Sequence, residues 1–510
     1  MATAKERFET LDSKRDQVLK RGRDCADLTV PALMPPDGSD ENTSLSTPYQ
    51  SLGSRGVNNL TSKLRLALFP PGRPFFRFRP EDDALQMIAD QDPNAAAQIE
   101  SAMQKLENEA LAELEQGSDS VILHAAIKQI VTVGNVLLHM PNDSGSRLFR
   151  LANYVVVRDA SGNWFQIVAK ETLARETLDE DQQALLAPKT GDSTKDDEDI
   201  DVYTMVRKVG KKAEWYQEIN EQIVPGSEGR SSYADCPYIP LRWAALENEN
   251  YGRGHVEEYL GDLRSLEDLS KSLVQMSAAA AKVIFLDRPN STTDIEAIQN
   301  AESGEIVEGN IEDIGVLQVN KFPDFQVAKG QIDDLSLRLS HAFLLTTGTV
   351  RNAERVTAEE IRMQAQELED VLGGVYSVLA AELQHKVVLR LMARLKKKGR
   401  LPQLPSGAIK PVIVTGFEAL GRGHELNKLR QYFSDGAALF GEAFMAEFNV
   451  GAFAGVLATQ HNVDVSALQK TPEQKEAEAQ QAQQAAMAEK ALGPMAGQAT
   501  KGVADAINQQ

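Results

Sequence analysis

Two long runs of helical periodicity in the second half of the chain constrain its fold more than any other feature. Between residues 252 and 281, apolar residues recur every three or four positions, which predicts one helix of about 30 residues, ~45 Å long. A second run starts at a capping box formed by Thr357 and Glu360 and continues to Leu395, which predicts a helix of about 40 residues. The sequence therefore predicts a protein built around long helical rods.

Two adjacent glycines, Gly373 and Gly374, interrupt the second run near its middle. A glycine inside a helix costs about 1 kcal/mol relative to alanine, and glycine pairs are sites of sharp kinking. We therefore expect this pair to act as a hinge in the long helix.

The remaining segments predict a mixture of helices and strands, so the fold class is α+β and mainly helical. Helices are predicted at 8–28, 52–68, 92–116, 332–345 and 425–460, and a helix followed by a strand at 121–140. An antiparallel meander is predicted from strands at 154–157, 164–169, 202–209 and 213–219. Short strands at 283–286, 305–307, 316–319 and 325–328 predict a small β-rich module between two helices, and a further strand is predicted at 408–414.

Length and charge restrict the possible functions. A chain of 510 residues exceeds the ~250 to 300 residues at which one hydrophobic core stops growing, so several modules are expected. The formal net charge of −20 is opposite to that of proteins that bind DNA tightly through phosphate contacts. An acidic surface would nevertheless suit a channel along which a polyanion slides. No apolar run reaches the ~20 residues of a membrane span, and the first residues do not resemble a signal peptide, so we expect synthesis in the cytosol.

The sequence carries no recognisable catalytic or cofactor-binding motif, so neither an enzyme nor a cofactor is predicted. It lacks GxxxxGK[ST], HExxH, GxSxG and a complete GxGxxG. His255, beside Glu257 and Glu258, is interpreted as a solvated residue, with metal binding as the lesser alternative. The acidic stretch 196–199 is interpreted as a solvated loop. Cys25 and Cys236 are far apart with no CxxC pattern, so we expect inert, unpaired thiols and no metal site.

An arginine-bearing segment separates the helix predicted at 332–345 from the second long run. Arg351, Arg355 and Arg362 lie in or just after a predicted loop, within a chain that is acidic overall. These side chains could simply decorate a flexible surface loop. Alternatively, rotational symmetry could bring copies of them together as cationic rings that face DNA phosphates, which carry no base information.

Several long stretches resemble the portal proteins, or head-to-tail connectors, of short-tailed podovirus-type bacteriophages. They are GVNNLTSKLRLALFP from Gly56, GNVLLHMP from Gly134, YGRGHVEEYLGDLRSLEDL from Tyr251 and ERVTAEEIRMQAQELEDVLGGVYS from Glu354. The resemblance extends from about residue 6 to residue 423; beyond that, it is mainly one of element order.

The resemblance implies a dodecameric ring at one capsid vertex, through which double-stranded DNA is packaged and ejected without sequence specificity. It implies a wing (1–250), a stem of two antiparallel helices (251–282 and 326–345), a clip (283–325), a tunnel loop (346–356), a long kinked helix with a wing return strand (357–422), and a crown with a C-terminal tail (423–510). It also implies partners: the terminase large subunit, a tail adaptor, and scaffolding, major capsid and internal core proteins. The implied location is the virion, after assembly in the host bacterial cytoplasm and without a membrane.

Two other classes of function stay open at this point. One is an acidic helical scaffold or tail adaptor that forms no DNA-sized channel. The other is a metal-dependent nuclease that uses the acidic stretch 196–199.

Overall fold

The structure, a computed structural model, separates into two compact units, residues 1–421 and 422–510. The described residues are 2–40, 42–72, 74–79, 93–143, 145–186, 199–280, 284–289, 293–317, 322–345, 358–372, 374–400, 412–415, 431–435 and 438–439. The second unit is thus represented only by 431–435 and 438–439, so the fold below is that of the first unit.

The first predicted helix is in fact two helices, α1 (Ala4–Asp12) and α2 (Asp16–Asp27). The prediction of one helix at 8–28 was wrong because Arg15 turns inward between them. Its side chain is 3% exposed and donates to the Leu151 carbonyl at 2.5 Å and to Asp12. Helix α3 (Leu52–Leu68) confirms its prediction and is buried along most of its length.

Two strands distant in sequence form a small sheet. Strand β1 (Phe76–Arg79) pairs antiparallel with a strand near the end of the first unit, Val412–Thr415, which agrees with the strand predicted at 408–414; residues 408–411 lie outside the described residues. Helix α4 (Pro93–Gln116) packs against β1, and the Glu107 carboxylate accepts from the Phe78 amide at 2.9 Å.

The predicted helix-then-strand at 121–140 is confirmed as α5 (Asp119–Val133) and β2 (Asn135–His139). The two are joined by Gly134, whose left-handed backbone (φ 80°) ends the helix. Strand β2 lies between β3 (Arg147–Phe149) and a later strand, Tyr238–Arg242, in an antiparallel three-stranded sheet, and every residue of β2 is buried.

The predicted antiparallel meander is confirmed and extended to six strands. It consists of β4 (Tyr154–Arg158), β5 (Trp164–Ala174), β6 (Asp199–Val209), β7 (Lys212–Ile219), β8 (Gln222–Ile223) and β9 (Gly229–Ser232), with both β8 and β9 paired to β7. A one-turn helix, α6 (Glu180–Gln183), follows β5, and Tyr238–Arg242 is β10. Helix α1 covers one face of this sheet, with Phe8 packed on Val155, Val168 and Met205.

The run at 252–281 forms α7 (His255–Glu258) and α8 (Leu260–Ala280), so the predicted single helix breaks at Tyr259. Strands β11 (Ile284–Asp287) and β12 (Ile314–Leu317) pair antiparallel around the short helix α9 (Ile295–Asn300). Helix α10 (Phe322–Ala342) then returns alongside α8.

Two of the four strands predicted in the small β module are wrong. Residues 305–307 form no strand, and Ile306 is 96% exposed, so its side chain is not buried against a neighbouring layer as that of a strand residue would be. Residues 325–328 belong to α10, which begins earlier than predicted because Pro323 and Asp324 favour the first turn of a helix.

The second long run is broken rather than continuous. It comprises α11 (Ala358–Leu372), α12 (Val375–Leu379), one π-helical turn (Ala380–Gln384) and α13 (His385–Lys397); the paired strand Val412–Thr415 is β13. Its buried stripe shares one large core with α3 and with the base of the α8/α10 pair. This core includes Leu60, Leu64, Leu263, Leu266, Leu335, Leu339, Leu368, Leu383 and Leu391. The core therefore fixes the base of the helix pair against the long broken helix.

Candidate functional site

The end of α10, just before the arginine-bearing segment, is held by side chains from α3 and α7. The Asn59 side-chain amide donates to the carbonyls of Phe343 (3.0 Å) and Leu344 (2.9 Å). The His255 ring nitrogen Nε2 lies 3.0 Å from the Ala342 carbonyl. The last carbonyls of a helix have no partner within it, so these contacts satisfy groups that water or a cap would otherwise bind.

Phe343 locks this turn into the core. Its side chain is fully buried, and its ring meets the His255 ring edge-on at 5.3 Å between centroids. It lies so close to Gly56 of α3 that a Cβ there would fall 2.6 Å from the Phe343 Cγ. The next residue, Leu344, has a left-handed backbone (φ 55°). We name this set of five residues, Gly56, Asn59, His255, Phe343 and Leu344, the root anchor.

His255 is buried, which corrects its interpretation as a solvated residue. Only 3% of it is exposed, and it packs between Trp243, Tyr259 and Phe343. Burial lowers the pKa of His255, opposed by its hydrogen bond to the Ala342 carbonyl, so the neutral ring is favoured. Because a carbonyl only accepts, Nε2 carries the proton.

The break in the long helix is centred on Gly374, which has a left-handed backbone (φ 92°). The Glu369 carboxylate on α11 reaches across the break and accepts from the Ser377 amide (3.1 Å) and hydroxyl (2.7 Å). On the far side, the Tyr376 hydroxyl donates to the Ala67 carbonyl at the end of α3 (3.3 Å). The segment after the break is therefore fastened to α3, and a side-chain bridge joins the two halves.

Two buried arginines on α13 fasten that helix to the loop after β2. The Arg394 guanidinium pairs with Asp119 at 2.5 Å and donates to the Pro141 carbonyl at 2.8 Å. The Arg390 guanidinium donates to the Met140 carbonyl (2.9 Å) and pairs with Asp235 (2.8 Å). Both arginines are at most 5% exposed, so α13 is held by charge and hydrogen bonds as well as by its apolar stripe.

The helix pair and its β module expose apolar and acidic side chains. Val274 on α8 is 54% exposed, and Val327 and Leu337 on α10 are 68% and 56% exposed. In the loop before β12, Ile306 and Ile311 are 96% and 93% exposed. Residues 284–317 contain eight acidic residues and one arginine. This part of the first unit therefore exposes several apolar side chains together with a surplus of acidic ones.

The predicted site residues are placed only in part. Arg351, Arg355 and Gly373 lie outside the described residues, as do residues 196–198 of the acidic stretch. Arg362 lies on α11, and Gly374 lies at the break where a hinge was predicted. Asp199 begins β6. Cys25 and Cys236 are free and buried, and burial raises both thiol pKa values to about 12, which confirms inert thiols.

Within the described residues, no cluster of histidine, cysteine and carboxylate side chains is arranged to hold a metal ion. In the same part of the chain, no helix is both long and apolar enough to cross a bilayer.

Reasoning from sequence missed Asn59, Arg390 and Arg394. The two arginines lie four residues apart and share a helical face with the apolar stripe, a pattern that indicates buried, paired charges. Asn59 carries no such signal, because its partners are 284 and 285 residues away in the sequence.

The chain matches a family of known proteins over most of its length. A family model described as "Bacteriophage head to tail connecting protein" matches residues 1–468. The chain belongs to this family of phage connectors.

Within this family, the chain is similar to individual portal proteins of phages. The chain is 41% identical to the portal protein of Escherichia phage T7 over 95% of this chain and 91% of the relative. It is 40% identical to the portal protein of Enterobacteria phage T3, over 93% and 89% respectively. Among solved structures, the neck of an empty GTA particle aligns with a TM-score of 0.36 at 12% identity, over 76% of this chain and 86% of that one.

Proposed function

We propose that this chain is the portal subunit of a short-tailed phage: a ring at one capsid vertex that conducts double-stranded DNA during packaging and ejection. The observation that carries the proposal is the match of 41% identity over 95% of the chain to a portal protein. The long helix pair, the acidic β module and the broken helix agree with such a subunit.

A ring of identical subunits, a dodecamer by the resemblance, would cover the exposed apolar side chains of the helix pair. Val274, Val327 and Leu337 are more than half exposed on the single chain. Apolar surface of this kind on long helices favours contact with a neighbour, and a cyclic arrangement gives every copy the same neighbours.

The modules of the subunit take the following roles in this proposal. Residues 1–250 form the wing, 251–282 and 326–345 the stem, 283–325 the clip, 346–356 the tunnel loop, 357–422 the long kinked helix and wing return strand, and 423–510 the crown and tail. The exposed, acidic clip provides the docking surface for the terminase large subunit and later for the tail adaptor. Scaffolding, major capsid and internal core proteins contact the ring elsewhere. Assembly takes place in the host cytoplasm, and the ring then stays in the virion.

DNA would pass through a mainly repulsive channel with few cationic contacts. Twelve copies at −20 each surround the duplex with negative charge, which opposes tight binding and lowers friction. Arg351, Arg355 and Arg362 would then provide rings of phosphate contacts without reading sequence.

The experiment that tests this function is electron microscopy of the purified protein, followed by DNA binding by the assembled particles. We expect rings with an axial hole of ~20 Å or more, wide enough for a B-DNA duplex. Arg351→Ser and Arg355→Ser should preserve the rings. They should lower the salt slope, which is the absolute value of the slope of log K against log salt, by about 0.9 for each phosphate that an arginine no longer neutralises.

Arg230→Ser is the matched control, since Arg230 is an exposed arginine on β9 of the six-stranded sheet. It should leave the slope unchanged. Monomers or filaments in place of rings would support the acidic scaffold or tail adaptor. Magnesium-dependent cleavage of DNA that stops when residues 196–199 are neutralised would support the nuclease.

The glycine pair is proposed as the hinge by which the tunnel loop narrows or widens the channel. Replacing both Gly373 and Gly374 by alanine favours a continuous helix by about 1 kcal/mol per residue. It also penalises the left-handed backbone at Gly374 (φ 92°). We expect less DNA retained per particle in a packaging reaction.

Gly261→Ala is the control for the hinge, because Gly261 lies in α8 and an added Cβ there would meet open space. If the double variant packages and retains DNA as well as the control, the glycine pair is not a hinge.

A further inference from the structure

We propose that Asn59 and His255 are positioning residues for the tunnel loop: through the root anchor they fix the point and direction in which the chain leaves α10. The inference deepens the proposed function and rests on it. It assigns a role to side chains of the wing and of α7, which do not belong to the loop.

The geometry goes beyond an ordinary helix end. Three successive carbonyls, those of Ala342, Phe343 and Leu344, are each within hydrogen-bond distance of a side chain from another element. The chain also closes on itself, since the Leu345 amide donates to the Ser340 carbonyl at 2.8 Å. A helix end exposed to solvent needs none of these long-range contacts, because water satisfies its carbonyls.

The root anchor also holds an unfavourable backbone. Leu344 has φ 55°, a left-handed conformation that costs a residue with a side chain about 1–2 kcal/mol. Such a conformation persists where the surroundings determine it, and it frequently marks a functional segment. Here the Asn59 amide binds the Leu344 carbonyl itself, so the contact acts on the strained residue directly.

The two ends of the tunnel loop therefore differ. The end at α10 is tied to α3 and α7 by the root anchor, whereas the chain after the loop runs into α11, which reaches the break at Gly374. Across that break, Glu369 contacts Ser377. The root anchor therefore sets where the chain leaves the described end of α10, and the break at Gly374 lies beyond the start of α11.

The test uses Asn59→Ala in the assembled ring, with Asn58→Ala as its matched control. Asn58 is the adjacent residue on α3, and it is exposed. Loss of the two Asn59 hydrogen bonds should speed hydrogen exchange about tenfold at the amides of residues 343–345. It should also lower the salt slope of DNA binding in the same direction as Arg351→Ser and Arg355→Ser.

If Asn59 had a structural role alone, the effect of Asn59→Ala on the salt slope would not depend on whether the two arginines are present. Added to the Arg351→Ser/Arg355→Ser variant, Asn59→Ala should cause no further fall in slope, since it acts through those arginines. His255→Gln, which keeps a donor near the position of Nε2, should preserve the slope better than His255→Leu.

The outcomes separate this inference from the function it rests on. Unchanged exchange at 343–345 in Asn59→Ala would overturn the root anchor. Faster exchange with an unchanged slope would overturn the positioning role, provided that the arginine variants themselves lower the slope. If Arg351→Ser and Arg355→Ser do not lower the salt slope, the proposed contacts between these arginines and DNA are wrong. The positioning role of Asn59 and His255 is then overturned as well.

Discussion

Arg394→Met is expected to release α13 from the rest of the subunit. It leaves the carboxylate of Asp119, only 2% exposed, without its ion-pair partner, and removing one member of a buried pair costs about 3–5 kcal/mol. Hydrogen bonds to the Pro141 carbonyl and the Ser146 hydroxyl are removed as well. Hydrogen exchange of the α13 amides should become more than about a hundredfold faster, because each 1.4 kcal/mol changes an equilibrium tenfold.

Two further variants determine whether the unpaired buried charge of Asp119 causes the faster hydrogen exchange of α13. Lys396→Met removes a cation two residues later on the same helix, where the side chain is exposed, and should change exchange little. The double variant Asp119→Leu/Arg394→Met removes both charges and should be less damaged than Arg394→Met alone. Equal exchange in Arg394→Met and Lys396→Met would contradict the buried-pair account.

Gly134→Ala is expected to prevent the junction between α5, β2 and α7 from forming. Gly134 has φ 80°, and a Cβ there would lie 2.6 Å from the Arg253 carbonyl carbon and against the Gly254 amide nitrogen. Both obstacles are backbone atoms, which cannot move aside as a flexible side chain can. We expect a loss of more than about 3 kcal/mol, from the left-handed strain and overpacking together. The amount of soluble, ring-forming protein should fall accordingly.

Gly210→Ala distinguishes the cost of left-handed backbone strain from the cost of overpacking. Gly210, in the turn between β6 and β7, also has a left-handed backbone (φ 61°) but has open space where its Cβ would be. It should therefore cost only the strain of about 1–2 kcal/mol and still yield rings. If Gly134→Ala were no worse than Gly210→Ala, the close approach of the two backbones would not matter for folding.

The contact at Gly134 also explains one copy of a repeated tetrapeptide, GRGH, which occurs at Gly252 and Gly421. At the first copy, Gly252 and Gly254 pack directly against Gly134 and its neighbours, and the histidine of the same tetrapeptide is His255 of the root anchor. The copy at Gly421 lies outside the described residues. This four-residue string therefore joins a close backbone contact to the end of α10.

Local patterns predicted much of the secondary structure. The period of three and four residues indicated α8 and the buried stripe of α11 to α13, and alternation indicated the meander of β4 to β7. The same patterns did not predict the break at Tyr259 or the π-helical turn at Ala380–Gln384. Apolar periodicity continues through such interruptions, because it records which face is buried and not whether each backbone hydrogen bond forms.

By itself, the sequence determined the helical character and buried face of the two long runs, the glycine pair, the inert cysteines, the acidic charge and the likeness to phage portal proteins. Each of these depends on residue type and near-neighbour spacing. Only the tertiary structure decided that His255 is buried, that Asn59 holds the end of α10, and that Arg390 and Arg394 fasten α13. Those roles depend on partners far away in the chain, as in the 285 residues between Asn59 and Leu344. Folding alone brings such partners together, and their burial gives the contacts their energy.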